Sequence, residues 1–161
     1  MREVIIRLAE EIIDCELVED FPFEAIKKFL ARLPPVSQNR GLVVHGDLAP
    51  NNAFFSPQEE RVVFLDWEWV RFNPNPLVAK SFDFANFYLR CWQNPAFQSV
   101  LEREWCERDC QGGEEFVLSI VFQGIGQLVG LCRFRREKMP HLRKHIRRLI
   151  DLIGKALERV G

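Results

Sequence analysis

The sequence predicts an α+β fold that is mostly α. Apolar residues recur at helical spacing at both ends of the chain, and short β-branched and aromatic runs lie between them, near residues 42–66. The length of 161 residues and the apolar fraction of 47% suit one globular domain with a sizeable core. We therefore expect a single domain over 1–161, with a small β-hairpin between two helical parts.

Two helices are predicted before the β region. Val4, Ile5, Leu8, Ile12 and Ile13 recur at helical spacing, which predicts an amphipathic helix over 2–14. The segment "FPFEAIKKFLARL" predicts a second helix, with a proline near its start, where proline is tolerated. The following "PPVSQNRG" ends this helix, because proline cannot continue it.

The β region is predicted to contain a strand and a hairpin. The strand is "LVV" at 42–44, and the hairpin pairs residues 53–55 with 61–66 around the turn signal "SPQEE". If residues 57–60 form the turn, Phe55 faces Val62 and Asn52 lies opposite Leu65 or Asp66. The segment "RFNPNP" that follows is predicted to be a loop.

The second half is predicted to be helical over 82–92, 97–109, 114–134 and 141–159, with breaks at "QNP", "CQGG" and "KMP". The closely spaced glycines of "GIGQLVG" (124–130) indicate close helix packing, because no strand precedes them. Seven aromatic residues are expected in the core, some of them against the wall of the site: Trp67, Trp69, Phe82, Phe84, Phe87, Tyr88 and Trp92.

Composition narrows the function classes. The net charge of −1 gives no overall attraction to nucleic acid or to a membrane surface. No apolar run approaches the roughly 18 residues of a membrane span, and the N-terminus lacks the apolar block of a signal peptide. The five cysteines include no CxxC pair, which favours free thiols in a reducing compartment. We expect a cytoplasmic protein without a membrane partner.

The stretch "VVHGDLAPNN" (43–52) concentrates polar side chains directly after an apolar run. The expected hairpin brings Asn52 and Asp66 to one open end, and Asp47 lies on the loop that enters it. Carboxylate and amide oxygens are ligands that suit Mg²⁺, whose remaining ligands are usually water and phosphate oxygens. Asp47 would then be available to accept a proton from a hydroxyl, as phosphoryl transfer requires. Each residue could alone be a turn residue, but that does not explain their gathering.

The sequence resembles the aminoglycoside phosphotransferase and choline kinase family, whose members are small-molecule kinases with a protein-kinase-like fold. His45-Gly46-Asp47 followed by Asn52 matches the pattern H-G-D-x-x-x-x-N, and Asp66-Trp67-Glu68 matches the D-x-E that ends the next strand. "SFDFANFYLRCW" is similar to a later acidic motif in which an Asp, here Asp83, opens a helix. The resemblance covers residues 41–92.

The resemblance implies a role for each matching residue. Asp47 would be the catalytic base, and His45 would complete the catalytic loop by buttressing it. Asn52 and Asp66 would be the metal ligands for Mg²⁺, with ATP as the phosphate donor. Glu68 would assist at the metal or form a structural ion pair, and Asp83 would be structural, holding the loop or capping its helix.

The resemblance also implies a second lobe that the sequence does not display. Relatives bind ATP between two lobes, and the first lobe supplies a β-sheet, a phosphate-covering loop and a lysine. Here about 40 residues precede the motif, and they predict helices. We expect the kinase-like C-terminal lobe with the N-terminal lobe absent, 41–70 carrying the catalytic loop and hairpin and 82–161 forming a helical subdomain. Such a chain would be a fragment, a split gene product or a degenerate relative, and by itself it should be a poor kinase, because half of the positioning apparatus would be missing.

The acceptor is expected to be a small molecule with a hydroxyl group. Relatives build the acceptor site from helices after the D-x-E strand, where this chain carries "EREWCERDCQGGEE" (102–115). Glu102, Glu104, Glu107 or Asp109 would face a cationic acceptor such as an aminoglycoside or choline. The competing and simpler interpretation is a solvated helix face.

The sequence is also compatible with two other kinds of partner. A non-catalytic kinase-like module that binds a protein partner, or the missing lobe itself, would expose an apolar surface where that lobe docks. The basic segment 133–148 could bind nucleic acid, but a solvated basic face on an amphipathic helix explains it more simply.

Overall fold

The computed structural model describes residues 2–15, 18–33, 42–73, 81–91, 93–108, 113–134 and 140–161. These residues form a mostly helical α+β structure with small antiparallel sheets. The helices are α1 (Arg2–Ile13), α2 (Phe23–Arg32), α3 (Phe82–Arg90), α4 (Pro95–Arg108), α5 (Gly113–Phe134) and α6 (Pro140–Glu158), and the strands are β1 (Leu42–Val44), β2 (Ala53–Ser56), β3 (Arg61–Phe64) and β4 (Arg71–Asn73).

The chain divides into two compact units. One consists of Met1–Pro34 and Ile120–Gly161, and the other of Pro35–Ser119. The first unit is helical, and its core is the apolar side of α1, α2, α6 and most of α5. In α6 the apolar residues at helical spacing are buried while Arg143, Lys144 and Arg147 are exposed, as the amphipathic pattern predicted.

Close packing within the first unit uses one of the helical glycines. A Cβ added at Gly124 of α5 would lie 2.9 Å from the side-chain atoms of Ile153 in α6. At Gly126 and Gly130 an added Cβ would meet nothing within 4 Å. The prediction of glycine-mediated packing is therefore confirmed at Gly124 alone.

An ion pair connects α1 and α5 in the same unit. The Arg133 guanidinium donates to both carboxylate oxygens of Glu11, each at 2.5 Å. The hydrogen bond from Arg133 holds the pKa of Glu11 below its ordinary value, although both side chains are accessible to solvent. An exposed pair of this kind contributes little to stability.

The hairpin of the second unit has the predicted register. Phe55 pairs with Val62 and Ala53 with Phe64, and residues 57–60 form the turn. The backbone N–H of Leu65 donates to the carbonyl of Asn52 at 2.8 Å, which continues the pairing by one step. Asn52 therefore lies opposite Leu65, with Asp66 next in the chain.

The prediction of a loop over 71–76 is wrong for residues 71–73, and residues 74–76 lie outside the described part of the chain. Arg71–Asn73 form β4, which pairs antiparallel with β1, Val43 lying opposite Phe72. The pairing joins segments far apart in sequence, and "RFN" carries little strand propensity, so no local pattern announces it. The small sheet fixes the strand from which the H-G-D motif emerges.

The aromatic residues divide differently from the prediction. Phe82 and Tyr88 are buried in α3, where Tyr88 and Phe84 contact the ring of Phe116 edge to face at 5.6 and 5.4 Å between centroids. Trp67 and Trp69 are instead 52% and 58% exposed, so their assignment to the core is wrong. They lie on a 3₁₀ turn that the described residues leave uncovered. Trp92 lies outside the described residues.

One helix in the described part of the chain is long and apolar enough to cross a membrane. Gly113–Arg133 of α5 contains an 18-residue window with a mean hydropathy of 1.6, contrary to the expectation that no such run exists. However, 61% of that window is buried inside the structure. A buried core helix passes the same test, and the burial of α5 favours that interpretation.

Candidate active site

Asp83 holds the loop that leaves β1. Its Oδ2 accepts the backbone N–H of His45 at 2.7 Å, and its Oδ1 accepts that of Gly46 at 2.9 Å. Asp83 lies in the first turn of α3, whose buried residues anchor it in the second unit. One carboxylate thereby fixes two successive peptide groups immediately before Asp47.

Gly46 is required where the loop turns. Its φ is +87°, in the left-handed region that favours glycine. A Cβ at this position would lie 2.2 Å from the backbone carbonyl oxygen of Trp69. Both the conformation and the close approach of the Trp69 backbone exclude a side chain here.

His45 links the two segments that carry the site. Its side chain is 5% exposed, its Nε2 donates to the carbonyl of Leu65 at 2.9 Å, and its ring centroid lies 4.5 Å from that of Trp67. No described residue pairs with its Nδ1. Because Leu65 directly precedes Asp66, His45 ties the Asp47 loop to the end of the hairpin.

Asp47 and Asn52 lie side by side. The Asn52 side-chain amide donates to the backbone carbonyl of Asp47 at 3.0 Å and approaches its Oδ2 at 3.5 Å. Asn52 is 6% exposed and ends a 3₁₀ turn, Pro50–Asn52, that leads into β2. The Asp47 side chain is 25% exposed and can therefore be reached by a ligand.

Asp66 adopts an unusual backbone conformation at the end of the hairpin. Its φ and ψ are +61° and +64°, a left-handed conformation that costs a non-glycine residue about 1 kcal/mol. Strain of this kind is often found where a side chain must be aimed for function. The side chain is exposed at the end where Asn52 begins the pairing.

The donor set fits Mg²⁺ on its chemistry. Asp66 offers a carboxylate, and the Asn52 amide oxygen accepts one hydrogen bond, from Asn51 at 3.0 Å, which leaves it a second lone pair. Two protein oxygens with water and phosphate completing the shell is the arrangement that Mg²⁺ commonly takes. In the described part of the chain, no three His, Cys, Asp or Glu side chains cluster as a self-sufficient metal site. Any ion here would therefore depend on ligand oxygens.

Arg90 is the residue that sequence reasoning missed. Its Nη2 donates to Asp47 Oδ1 at 2.6 Å, and its side chain is 39% exposed. Arg90 follows Asp83 by seven residues, which is two turns at about 3.6 residues each, so both lie on one face of α3. This seven-residue spacing in the sequence could have indicated the contact. Asp83, in the first turn of the helix, holds the loop, and Arg90, in the last turn, lies on the same side of the helix.

The remaining predicted residues are less closely associated with Asp47. Glu68 is exposed on the 3₁₀ turn Trp67–Trp69. Glu102 of α4 accepts a hydrogen bond from the hydroxyl of Tyr88. Glu104 is half-buried on α4, whereas the side chain of Glu107 and the whole of Asp109 lie outside the described residues.

Comparison with known proteins identifies the family. No curated protein and no solved structure matches the chain. The model of the phosphotransferase enzyme family, APH, matches residues 5–116, which include the Asp47 loop, the hairpin and α3. The match spans more than half of the chain and agrees with the resemblance carried by the H-G-D motif. The chain therefore belongs to the phosphotransferase enzyme family.

Proposed function

We propose that this chain is the kinase-like C-terminal lobe of a small-molecule phosphotransferase, which transfers the γ-phosphate of ATP to a hydroxyl group. The observation that carries the proposal is the contact of Asp47 with Asn52 at the open end of the hairpin, in a loop fixed by Asp83. Family membership supports the reaction class. The geometry supports the assignment of roles.

In this proposal Asp47 accepts the proton of the acceptor hydroxyl. Its carboxylate is accessible, and its backbone is held by Asp83 on one side and by Asn52 on the other. Asn52 and Asp66 would hold Mg²⁺, which when bound neutralises phosphate charge. His45 keeps the loop and the hairpin end in register through Leu65. Most of the catalytic contribution would then come from positioning.

Calorimetric titration with Mg²⁺ and ATP tests the nucleotide site. Asp66→Asn is the sharpest variant, because Asn tolerates the left-handed backbone and removes only the charge. We expect the wild-type chain and Asp47→Asn to bind Mg²⁺·ATP, and Asp66→Asn to lose the Mg²⁺-dependent binding. Equal binding by the folded Asp66→Asn variant would contradict the metal assignment.

Turnover tests the base. With Mg²⁺·ATP bound and an acceptor supplied, Asp47→Asn should lower the rate by about 10²–10⁴, the usual contribution of a general base. Unchanged turnover would remove Asp47 from that role. Because Asp47→Asn is expected to retain nucleotide binding, the two experiments separate the base from the metal ligand.

A second candidate function is a non-catalytic kinase-like module that binds a protein partner. The exposed apolar side chains of the hairpin favour it: Phe54 and Phe55 are 61% and 58% exposed. Absence of Mg²⁺·ATP binding in a folded sample, together with binding of an added partner that protects these side chains, would favour this function over catalysis.

A further inference from the structure

We propose that Arg90 determines acceptor specificity and selects acceptors whose reactive hydroxyl lies next to an anionic group, a carboxylate or a phosphate. The inference rests on the proposed function, because it takes Asp47 as the group that meets the hydroxyl. It goes further by assigning the acceptor a charge.

Arg90 lies close to the carboxylate that would meet the acceptor hydroxyl. Arg90 Nη2 lies 2.6 Å from Asp47 Oδ1. A hydroxyl that gives its proton to Asp47 must come within about 2.6–3.2 Å of the same carboxylate. The guanidinium is therefore a near neighbour of any productively bound acceptor. A substituent one or two bonds from the hydroxyl falls within its reach.

The Arg90 guanidinium has N–H donors beyond the one that contacts Asp47. A guanidinium carries five N–H donors in a planar fork that matches carboxylate and phosphate oxygens. Within the described part of the chain, Asp47 is the one hydrogen-bond partner of the Arg90 side chain, which is 39% exposed. Arg90 can thus keep its contact with Asp47 and offer its other N–H groups to an anion.

The position of Arg90 is set by the end of α3. Arg90 is the last residue of α3, where the helix dipole favours a cation. The next residue, Cys91, closes the helix end by donating its backbone N–H to the carbonyls of Phe87 and Tyr88. Asp83 fixes the first turn of the same helix against the Asp47 loop. Arg90 is therefore presented to Asp47 from a rigid element.

The Arg90 guanidinium also places a positive charge beside Asp47. A cationic acceptor would place its charge near the Arg90 guanidinium and lose free energy by repulsion. Glu102, one of the acidic residues considered for a cation, is already bonded to the Tyr88 hydroxyl. The side chain shown in contact with Asp47 is a cation, and this favours an anionic acceptor.

A matched series of small probes tests the inference. The four probes share the glycerol skeleton: glycerate, glycerol 3-phosphate, glycerol and 3-aminopropane-1,2-diol. Protein-observed NMR titration of the chain at constant ionic strength gives a dissociation constant for each. We expect an anionic probe to bind at least about tenfold more tightly than the neutral and cationic probes, as suits a charge-assisted hydrogen bond. The comparison of glycerate with glycerol 3-phosphate identifies which anion the site prefers.

Three variants complete the experiment. Arg90→Gln should abolish the preference for the anion, and Arg90→Lys should retain part of it, because lysine keeps the charge but loses the fork. Arg61→Gln is the control. It removes an exposed arginine at the turn end of the β2–β3 hairpin, where Arg61 pairs with Glu59, and it should leave the preference for the anion unchanged. Circular dichroism establishes that each variant is folded.

The outcomes separate this inference from the proposed function. Equal affinity for anionic and cationic probes, failure of both anionic probes to bind, or an unchanged preference in Arg90→Gln would overturn it. If Mg²⁺·ATP still binds in an Asp66-dependent manner, the specificity assignment alone has failed. If Mg²⁺·ATP does not bind, the proposed function has failed whatever the probes show.

Discussion

Gly46 shows how strongly one residue can constrain the Asp47 loop. Gly46→Ala would place a methyl group 2.2 Å from the Trp69 carbonyl oxygen and force a side chain into a φ of +87°. We expect a loss of at least about 1–3 kcal/mol of unfolding free energy from the backbone strain alone. Urea unfolding followed by circular dichroism would measure it. Gly113→Ala, where an added Cβ meets nothing within 4 Å, is the control; equal effects at both positions would refute the argument.

Cys91 offers a second prediction at the residue scale. Burial raises the pKa of its thiol from 9.0 to about 11, so the thiolate is scarce near neutral pH. Native protein treated with iodoacetamide at pH 8 should be modified at the partly exposed Cys15 well before Cys91. Mass spectrometry of the peptides would show the order, and early modification of Cys91 would contradict it. Because the folded-state pKa is raised, the stability that this buried thiol contributes is present below pH 9 and lost as the pH rises through about 11.

The residues of the site differ in how far sequence could predict them. Asp47, Asn52 and Asp66 belong to a local pattern, and a hairpin register places the last two at one end. The contact between Arg90 and Asp47 depends on how α3 is rotated toward the loop, and that rotation is set by Asp83 and by the buried side of the helix. Tertiary contacts of this kind leave only a faint periodic trace in the sequence.

At the scale of elements, helices were predictable and one strand was not. The third helix predicted in the second half, 114–134, is found as Gly113–Phe134, because a long apolar periodicity is a strong local signal. β4 was missed because its partner β1 is distant in sequence and its own three residues are too few to establish an alternating pattern. The exposure of Trp67 and Trp69 was missed because composition cannot distinguish a core aromatic from an uncovered one.

Two glycines of α5 provide a matched test of helix packing. Gly124→Ala would bring a methyl group within 2.9 Å of Ile153, whereas Gly126→Ala would meet nothing within 4 Å. We expect Gly126→Ala to stabilise the protein by about 0.5–1 kcal/mol through helix propensity. Gly124→Ala should be less favourable than this, since overpacking costs about 1–3 kcal/mol.

Thermal unfolding of the two variants measures the difference directly. The substitutions are chemically identical and lie in the same helix, so the unfolded-state contributions cancel. Equal stabilisation at both positions would show that the Ile153 side chain moves aside at no cost. Such a result would refute the packing role of Gly124 while leaving the helix assignment intact.

At the scale of the whole molecule, the hairpin stands out as an apolar surface. Phe54 and Phe55 are neighbours in β2, so their side chains point to opposite faces, and both are mostly exposed. Phe64, the last residue of β3, and Leu65, which follows it, are 40% and 50% exposed. A two-stranded hairpin with two uncovered apolar faces is marginal by itself. Such a surface is typical of a docking site for another polypeptide.

The exposed hairpin predicts a measurable behaviour of the folded chain. We expect it to enhance the fluorescence of an apolar dye and to self-associate as its concentration is raised. Replacing Phe54 and Phe55 together by threonine should reduce both effects, because threonine keeps strand propensity and removes apolar surface. Light scattering would follow the association. A monomer that binds no dye at any concentration would count against exposure of these residues in solution.

The bonds from Asp83 to the amides of His45 and Gly46 have a consequence for slow motion. A solvent-facing loop ordinarily exchanges its amide hydrogens with D₂O within seconds, but here these two protons can be released only when a helix carboxylate lets go. The amide hydrogens of His45 and Gly46 should therefore exchange at the rate at which α3 opens, and not at the rate at which their own loop opens. The loop that would carry out the chemistry should thus be protected against hydrogen exchange for as long as the helix is.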